Sequence, residues 1–471
     1  MRIFALLFLA GLSFPALAEE TKLNVLLITA DDMNADSPGW MGNPLQPTPN
    51  IDRFASVSHR FTNHHVSAPI CQPSRAAIMT GRVPHRSGGL GFNPINKDVP
   101  TLATVLKENG YYIAALNKIA HMKPDSAFPW DAKFDGSAKN PGQLGTQVSQ
   151  AIATAKTEGK PFFINCNIGD PHRPFYGAAP NRKQQLKQKQ RPESPGAVAK
   201  PFKAEDVKVP AFLEDLPDIR EEYAQYSNSV QRLDLSFGKV LAALEDSGLA
   251  AKTVVLFLSD HGISMPFSKA TVFYNGTWSP VLLKLPSGPE ATRHTELVSS
   301  VDILPTLLEL VKIPAPQGID GVSWLPLLAG ESQPGRDKVF THVNGVSSGK
   351  QFPQRAVNTR TRSLIFLPWS GSQPLRVEAM QGLTYPALEE AAASHPEIRA
   401  RLDQYIKGSP LALYDLEKDP AQRRNVIDDP AYVSDRKELV EALVAQMEKT
   451  SDPQLAALRT ILTRSLEKHR S

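Results

Sequence analysis

At 471 residues, with 41% hydrophobic and 21% charged residues, the chain has the composition of a globular protein with a sizeable core. A net charge of +4 over that length excludes the strongly basic footprint of a nucleic-acid binder, while remaining compatible with a polyanionic substrate. Its two cysteines, Cys71 and Cys166, are too few for a disulfide scaffold.

The first eighteen residues read as a signal peptide: Arg2 supplies the positive start, Ile3 to Leu12 the apolar stretch and Ala16-Leu17-Ala18 the small-residue cleavage site. A mature start near Glu19 and an export destination, periplasmic or secreted, are expected. No later segment approaches the roughly 20 apolar residues of a membrane span, so no membrane anchor is expected. Leu23 to Ala30 reads as a buried strand ending directly in Asp31-Asp32. Thr48 caps a short helix with Pro49 in its first turn. Phe61 to Val66 reads as a short strand, with His64 and His65 assigned to surface or packing. In Ile70 to Gly81 a helix is expected to begin at Pro73, just after Cys71, and to stop at Gly81. Thr101 caps a helix that Asn109-Gly110 ends. Tyr112 to Leu116 is a strand followed at once by Lys118 and His121. A helix around Gln147 to Lys156 precedes the strand Phe162 to Ile168, which holds Cys166 as a core residue and exits into Asp170-Pro171-His172-Arg173.

Residues 177–215 lose periodicity and gain Pro, Gln, Lys and Arg, which fits an active-site rim or insert; its basic run from Arg182 to Arg191 reads as a solvated face. Asp218 is expected to cap a long amphipathic helix closed by Gly248. The strand Thr253 to Leu258 delivers Ser259-Asp260-His261-Gly262, and strand Val281 to Leu285 and helix Asp302 to Val311 follow. Beyond residue 335, Val339 to Val343, Arg355 to Thr359 and Ser363 to Leu367 read as an antiparallel sheet, followed by helices near 387–406 and 433–447. The fold class expected is therefore α/β: a large central, mostly parallel sheet flanked by helices, with a smaller C-terminal α+β domain containing an antiparallel sheet. The divisions expected are 1–18, 19–335 and 336–471.

The chemistry collects at strand exits, where open α/β sheets keep their ligands. Asp31, Asp32 and Asp260 are a set suited to a hard cation such as Ca2+ or Mg2+, and His261 would add a nitrogen. Arg75, Lys118 and Lys269 would hold an oxyanion, while His121 and His172 are candidates for proton transfer. A cation, basic groups and imidazoles at one sheet edge point to hydrolysis of a sulfate or phosphate ester.

Cys71-Gln72-Pro73-Ser74-Arg75 followed by Thr80-Gly81-Arg82 resembles the signature of the type I sulfatases, which have an alkaline-phosphatase-like fold. The resemblance extends through Asp31-Asp32, Thr48-Pro49-Asn50-Ile51-Asp52, Lys118, His121, His172, Asp260-His261-Gly262 and Leu413-Tyr414-Asp415-Leu416. It implies that Cys71 is oxidised to formylglycine by a dedicated formylglycine-generating enzyme, and that the aldehyde hydrate takes up and then expels the sulfate. It further implies Ca2+ held by Asp31, Asp32, Asp260, His261 and the modified Cys71. Arg75, Lys118 and Lys269 would neutralise the sulfate, His172 would protonate the leaving group, and His121 would accept a proton.

Three departures stand out. His261 replaces a common Asn, although iduronate sulfatases share Asp-His-Gly. Two residues rather than one separate Lys118 from His121, and Asn117 replaces the usual Gly. Asp170-Pro171-His172-Arg173-Pro174-Phe175 resembles the heparan N-sulfatase (sulfamidase) branch, which implies that Asp170 and Arg173 contact an N-sulfated glucosamine; a structural salt bridge is the other reading of Arg173. The substrate expected is a sulfated saccharide. The alternatives are a phosphoester or phosphonate hydrolase on the same scaffold and a binding protein without catalysis.

Overall fold

A computed structural model of the chain describes residues 22–178, 198–288 and 290–468. The signal segment and the run Arg182 to Arg191 lie outside the described residues. In chain order the strands are β1 (Asn24–Asp31), β2 (His59–Phe61), β3 (His64–His65), β4 (Tyr112–Leu116), β5 (Ala132–Phe134), β6 (Phe162–Pro171) and β7 (Thr253–Ser259). They continue with β8 (Val281–Lys284), β9 (Arg293–His294), β10 (Val298–Ser299), β11 (Val339–Gly345), β12 (Gln351–Asn358), β13 (Arg362–Phe366) and β14 (Leu411–Asp415).

Eight strands form the central sheet in the order β5-β4-β6-β1-β7-β8-β2-β9. The sheet is mostly parallel, as expected. Only β8 runs against its neighbours β7 and β2. β1 lies between β6 and β7 and pairs in parallel with both, and β4 pairs in parallel with β6. The carboxyl ends of β4, β6, β1 and β7 therefore open along one edge.

Strand β1 is buried along its whole length, and its alternate residues serve different cores. Val25 and Leu27 pack with Ala76, Met79, Leu102 and Leu304 on one face. Leu26, Ile28 and Ala30 pack on the other with Leu144, Val148, Ile152, Leu233 and Phe237 from helices Pro141–Thr157 and Pro217–Asp246. That double burial is why the strand reads as an unbroken apolar run. A third core, holding Ile70, Tyr223, Phe267, Phe352, Trp369 and Tyr405, joins this layer to the four-stranded antiparallel sheet β11-β12-β13-β14.

Several local expectations shift. Helix Cys71–Thr80 begins at Cys71 rather than Pro73, and Gly81 ends it in the left-handed region at φ 63. Thr48 stands at the N-cap position but makes no capping bond; its hydroxyl donates to Asp52 Oδ1 at 2.9 Å. The long helix is entered through Leu216 and Pro217, so Asp218 lies inside its first turn. His64 and His65 are packing residues: both are fully buried, with Nδ1 of His64 on the Ser279 carbonyl (2.6 Å) and Nδ1 of His65 on Thr277 Oγ1 (2.9 Å). Among the described residues, no helix is long and apolar enough to cross a membrane.

Candidate active site

Each site residue is delivered by a strand exit or a helix start. Asp31 is the last residue of β1, and the backbone then turns sharply through Asp32 at φ 71. After β4, Asn117 (φ 56) and Lys118 (φ 53) are both left-handed. Asn tolerates this conformation better than most residues, so it can stand where a glycine is usual. A 3-10 turn over Ile119–His121 follows, with the His121 amide on the Lys118 carbonyl at 3.0 Å. In such a turn residues three apart align, so the longer spacing still brings His121 beside Lys118.

At the centre, one ligand atom from each of Asp31, Asp32, Cys71 and His261 lies within 4.8 Å of the others. His261 Nδ1 meets the Gly262 carbonyl at 3.0 Å. A carbonyl only accepts, so Nδ1 donates there, and Nε2 faces Cys71 Sγ (3.3 Å) and Asp32 Oδ1 (3.4 Å). Asp260 borders this group: Oδ1 accepts from the Asp32 amide (3.1 Å) and lies 3.6 Å from His261 Nε2, while Oδ2 takes Arg75 at 2.9 Å. Both carboxylate oxygens of Asp31 are buried without a hydrogen bond, although Lys118 lies against one of them as an ion pair. Unsatisfied buried carboxylate oxygens beside a second carboxylate and an imidazole nitrogen fit a divalent cation.

Three acids face three permanent cations. Lys269 Nζ bridges the two oxygens of Asp32 (2.8 and 2.9 Å), Lys118 pairs with Asp31, and Arg75 pairs with Asp260 while also bonding Asn167 Oδ1. Burial alone would raise the Asp31 carboxyl, but Lys118, His172, Arg75 and Lys269 outweigh it and hold that group well below its usual range. Burial opposes the Lys269 ammonium, yet Asp32 and its neighbours hold it well above the ordinary lysine value.

The two imidazoles are tuned in opposite directions. His121 is pushed down to about 3 by burial, then by Lys118 and Arg75, and so stays neutral. His172 is raised: burial opposes its charge, but Asp32 and Asp31 prevail, and its ring shares a hydrogen bond with the Cys71 side chain. His172 Nδ1 is anchored on the Arg173 carbonyl at 2.6 Å. One neutral and one readily protonated imidazole thus lie among the same cluster of charged groups, Lys118, Arg75, Asp31 and Asp32, as acid–base chemistry requires.

The family profile described as Sulfatase matches residues 23–313. The chain belongs to the sulfatase family. A second profile, N-sulphoglucosamine sulphohydrolase C-terminal, matches residues 260–367 of this sulfatase. Human N-sulphoglucosamine sulphohydrolase is 28% identical, over 94% of this chain and 93% of its own. Among solved structures, a 2-O GAG sulfatase superposes with a TM-score of 0.68 at 20% identity, covering 92% of this chain and 93% of the other. A protein solved with its substrate D-glucosamine-2-N,6-O-disulfate gives 0.68 at 18% identity, covering 92% and 99%. These similarities establish a sulfatase hydrolase on the alkaline-phosphatase-like fold.

Two residues expected to contact the sugar are also ion-paired within this sulfatase. Asp170 is fully buried, with Oδ2 on Arg232 Nε (2.7 Å) and Oδ1 on its Nη2 (2.9 Å). Arg173 pairs with Glu222, donates to the Ser264 carbonyl (2.9 and 3.2 Å) and lies 4.3 Å over the Phe175 ring. The structure shows the salt bridge of the other reading of Arg173. Three residues around the site were absent from the sequence-based set. Lys139 donates to the carbonyls of His172 and of Pro174 (2.9 Å) and lies 3.7 Å from Asp170 Oδ1. Arg232 and Asn167 complete the surround. Asn167 was detectable as a polar residue inside an apolar strand, whereas Arg232 lies off the apolar stripe of its helix, beside Asn228, Ser229 and Ser236, and nothing local marks it or Lys139.

Proposed function

We propose that this sulfatase removes the sulfate from an N-sulfated glucosamine at the end of a heparan- or heparin-like saccharide, using Ca2+ and a formylglycine made from Cys71, outside the cytoplasm. The convergence of Cys71 with Asp31, Asp32 and His261 at the head of helix Cys71–Thr80 carries the reading. The match over nearly the full length of a glucosamine N-sulfate hydrolase supports the substrate class, and the leader Arg2 to Ala18 supports export to the periplasm or beyond.

Formylglycine at residue 71 would supply a hydrated aldehyde, with one oxygen to take the sulfuryl group and another to drive its release. Asp31, Asp32, Asp260 and His261 would hold the cation, which would polarise the sulfate oxygens. Arg75, Lys118 and Lys269 neutralise the sulfate charge, helped by the uncapped first turn of the helix. His172, protonated through the pull of Asp32 and Asp31, gives its proton to the leaving nitrogen. His121, kept neutral, receives a proton as the second half-reaction begins. Asp170, Arg232 and Lys139 act as positioning residues that fix the backbone on either side of His172.

Mass spectrometry of the tryptic peptide Phe61 to Arg75, after co-expression with a formylglycine-generating enzyme, should show a loss of about 18 Da at Cys71. An unmodified thiol in fully active protein would overturn the mechanism. Sulfate release from N-sulfoglucosamine but not from 6-O-sulfated N-acetylglucosamine is expected. A higher kcat/KM on aryl phosphate than on aryl sulfate would instead favour the phosphoester alternative.

A further inference from the structure

The loop between Ser87 and Asn96 presents an apolar surface beside the active site. Phe92 is 39% exposed and Leu90 37%. Among the described residues, Phe92 is the one aromatic side chain so open to solvent. Large apolar groups are usually left outside singly and without meaning, so exposure alone says little. Here the loop is also held rigidly. The Asn96 amide bonds the Ser87 carbonyl (2.9 Å), Asn93 Nδ2 bonds the Gly88 carbonyl (2.7 Å), and the Gly345 amide of β11 bonds the Leu90 carbonyl (2.9 Å). Gly91 also packs against Gly345, whose backbone an added Cβ would meet in ordinary contact at 3.4 Å. The loop is tied to the reaction centre as well: Gln72, next to Cys71, donates to the Asn93 carbonyl at 2.6 Å.

The Phe92 ring meets His121 edge to face, with centroids 5.7 Å apart. His121 lies within electrostatic reach of Lys118, Arg75, Asp31 and His172. Phe92 is thus one residue outward from the groups assigned to the sulfate, on backbone pinned by those hydrogen bonds. An exposed aromatic ring held still at the rim of a polar pocket suits a ligand with one charged end and a flat face of C–H bonds. The face of the ring is electronegative and attracts the weakly positive hydrogens along one side of a pyranose.

We infer that Phe92 is a stacking platform for the sugar ring carrying the sulfate, a specificity element separate from the sulfate-binding cations. This rests on the saccharide reading proposed above and adds a residue to it. Steady-state kinetics on N-sulfoglucosamine, with inhibition by glucosamine and by inorganic sulfate, provide the test.

Phe92→Ala should raise KM for N-sulfoglucosamine and Ki for glucosamine about three- to tenfold, with kcat and the Ki of sulfate unchanged. Phe92→Trp should keep wild-type values, and Phe92→Leu, apolar but without a π face, should behave as the alanine variant. Unchanged constants in Phe92→Ala would overturn the platform and leave the substrate reading standing. A parallel rise in the Ki of sulfate would also overturn it, because a general disturbance of the pocket would then be the cause. A wild-type enzyme that releases sulfate from no saccharide would instead overturn the reading beneath it.

Discussion

Two buried clusters of carboxylate and imidazole in this molecule look alike by composition and differ in what their carboxylates are doing. One is Asp31, Asp32, Cys71 and His261 at the sheet edge. The other is His85, His342 and Asp452, where the turn between helices Val433–Lys449 and Leu455–Lys468 meets β11 and the segment Pro84–Ser87. In the second cluster Asp452 gives both oxygens to the buried guanidinium of Arg355, at 2.5 and 2.8 Å, and accepts from the Gln454 amide at 2.9 Å. A cation there would have to displace an arginine. At the sheet edge Asp32 is likewise bridged by Lys269, but Asp31, apart from its Lys118 ion pair, leaves its buried oxygens without hydrogen bonds, and three carboxylates crowd together. Saturated buried carboxylates hold a fold together, whereas unsaturated ones are kept for a ligand.

That contrast can be broken by exchanging the two kinds of damage. Cys71→Ala should lower kcat by about 10⁴-fold or more while leaving the melting temperature near wild type, since it removes the reacting group and little packing; substantial residual turnover would show that residue 71 is not the nucleophile. Asp31→Asn should cost about 10²- to 10³-fold in kcat/KM and weaken Ca2+ binding measured by calorimetry, again with a folded protein. Asp452→Ala reverses the pattern. Stripping the partner from Arg355, which has no exposed surface, should cost about 3 kcal/mol in a urea titration while kcat of the folded fraction stays within about twofold.

The smallest effect is on acid stability. Burial is the first cause holding His85 below the ordinary 6.5, and burial followed by Arg355 holds His342 well below it. Below pH 6.5 the unfolded chain therefore takes up protons that the fold refuses, so stability falls as the pH drops; above that value both states are neutral and the contribution vanishes. His85→Gln should reduce the loss of melting temperature between pH 7.5 and 5.5 by about 1 °C, and an unchanged loss would remove this pair from the account.

The strands that build the site were legible because burial on both faces leaves an unbroken apolar run, and each run stops at a charged residue: β1 at Asp31, β7 before Asp260. Their pairing was not legible. Lys118, His172 and Asp260 meet only because β4, β6, β1 and β7 stand side by side in parallel, and no local pattern encodes that order. The start of helix Pro141–Thr157 was hidden for a related reason. Gly145 reads as a break, but it serves close packing: an added Cβ would come within 3.1 Å of the Lys239 carbonyl on the long helix. The protein partners of Asp170 and Arg173 were not legible, because Arg232 and Glu222 lie some 50 to 60 residues farther along the chain.

Every residue of helix Cys71–Thr80 is buried, and Cys71 itself is only 3% exposed. No second enzyme can lay that pentapeptide across its own active site once the sheet has closed around it. On the proposed reading the oxidation of Cys71 would therefore have to precede the closing of the fold around it. A molecule that folds first is well formed, stable and permanently blank.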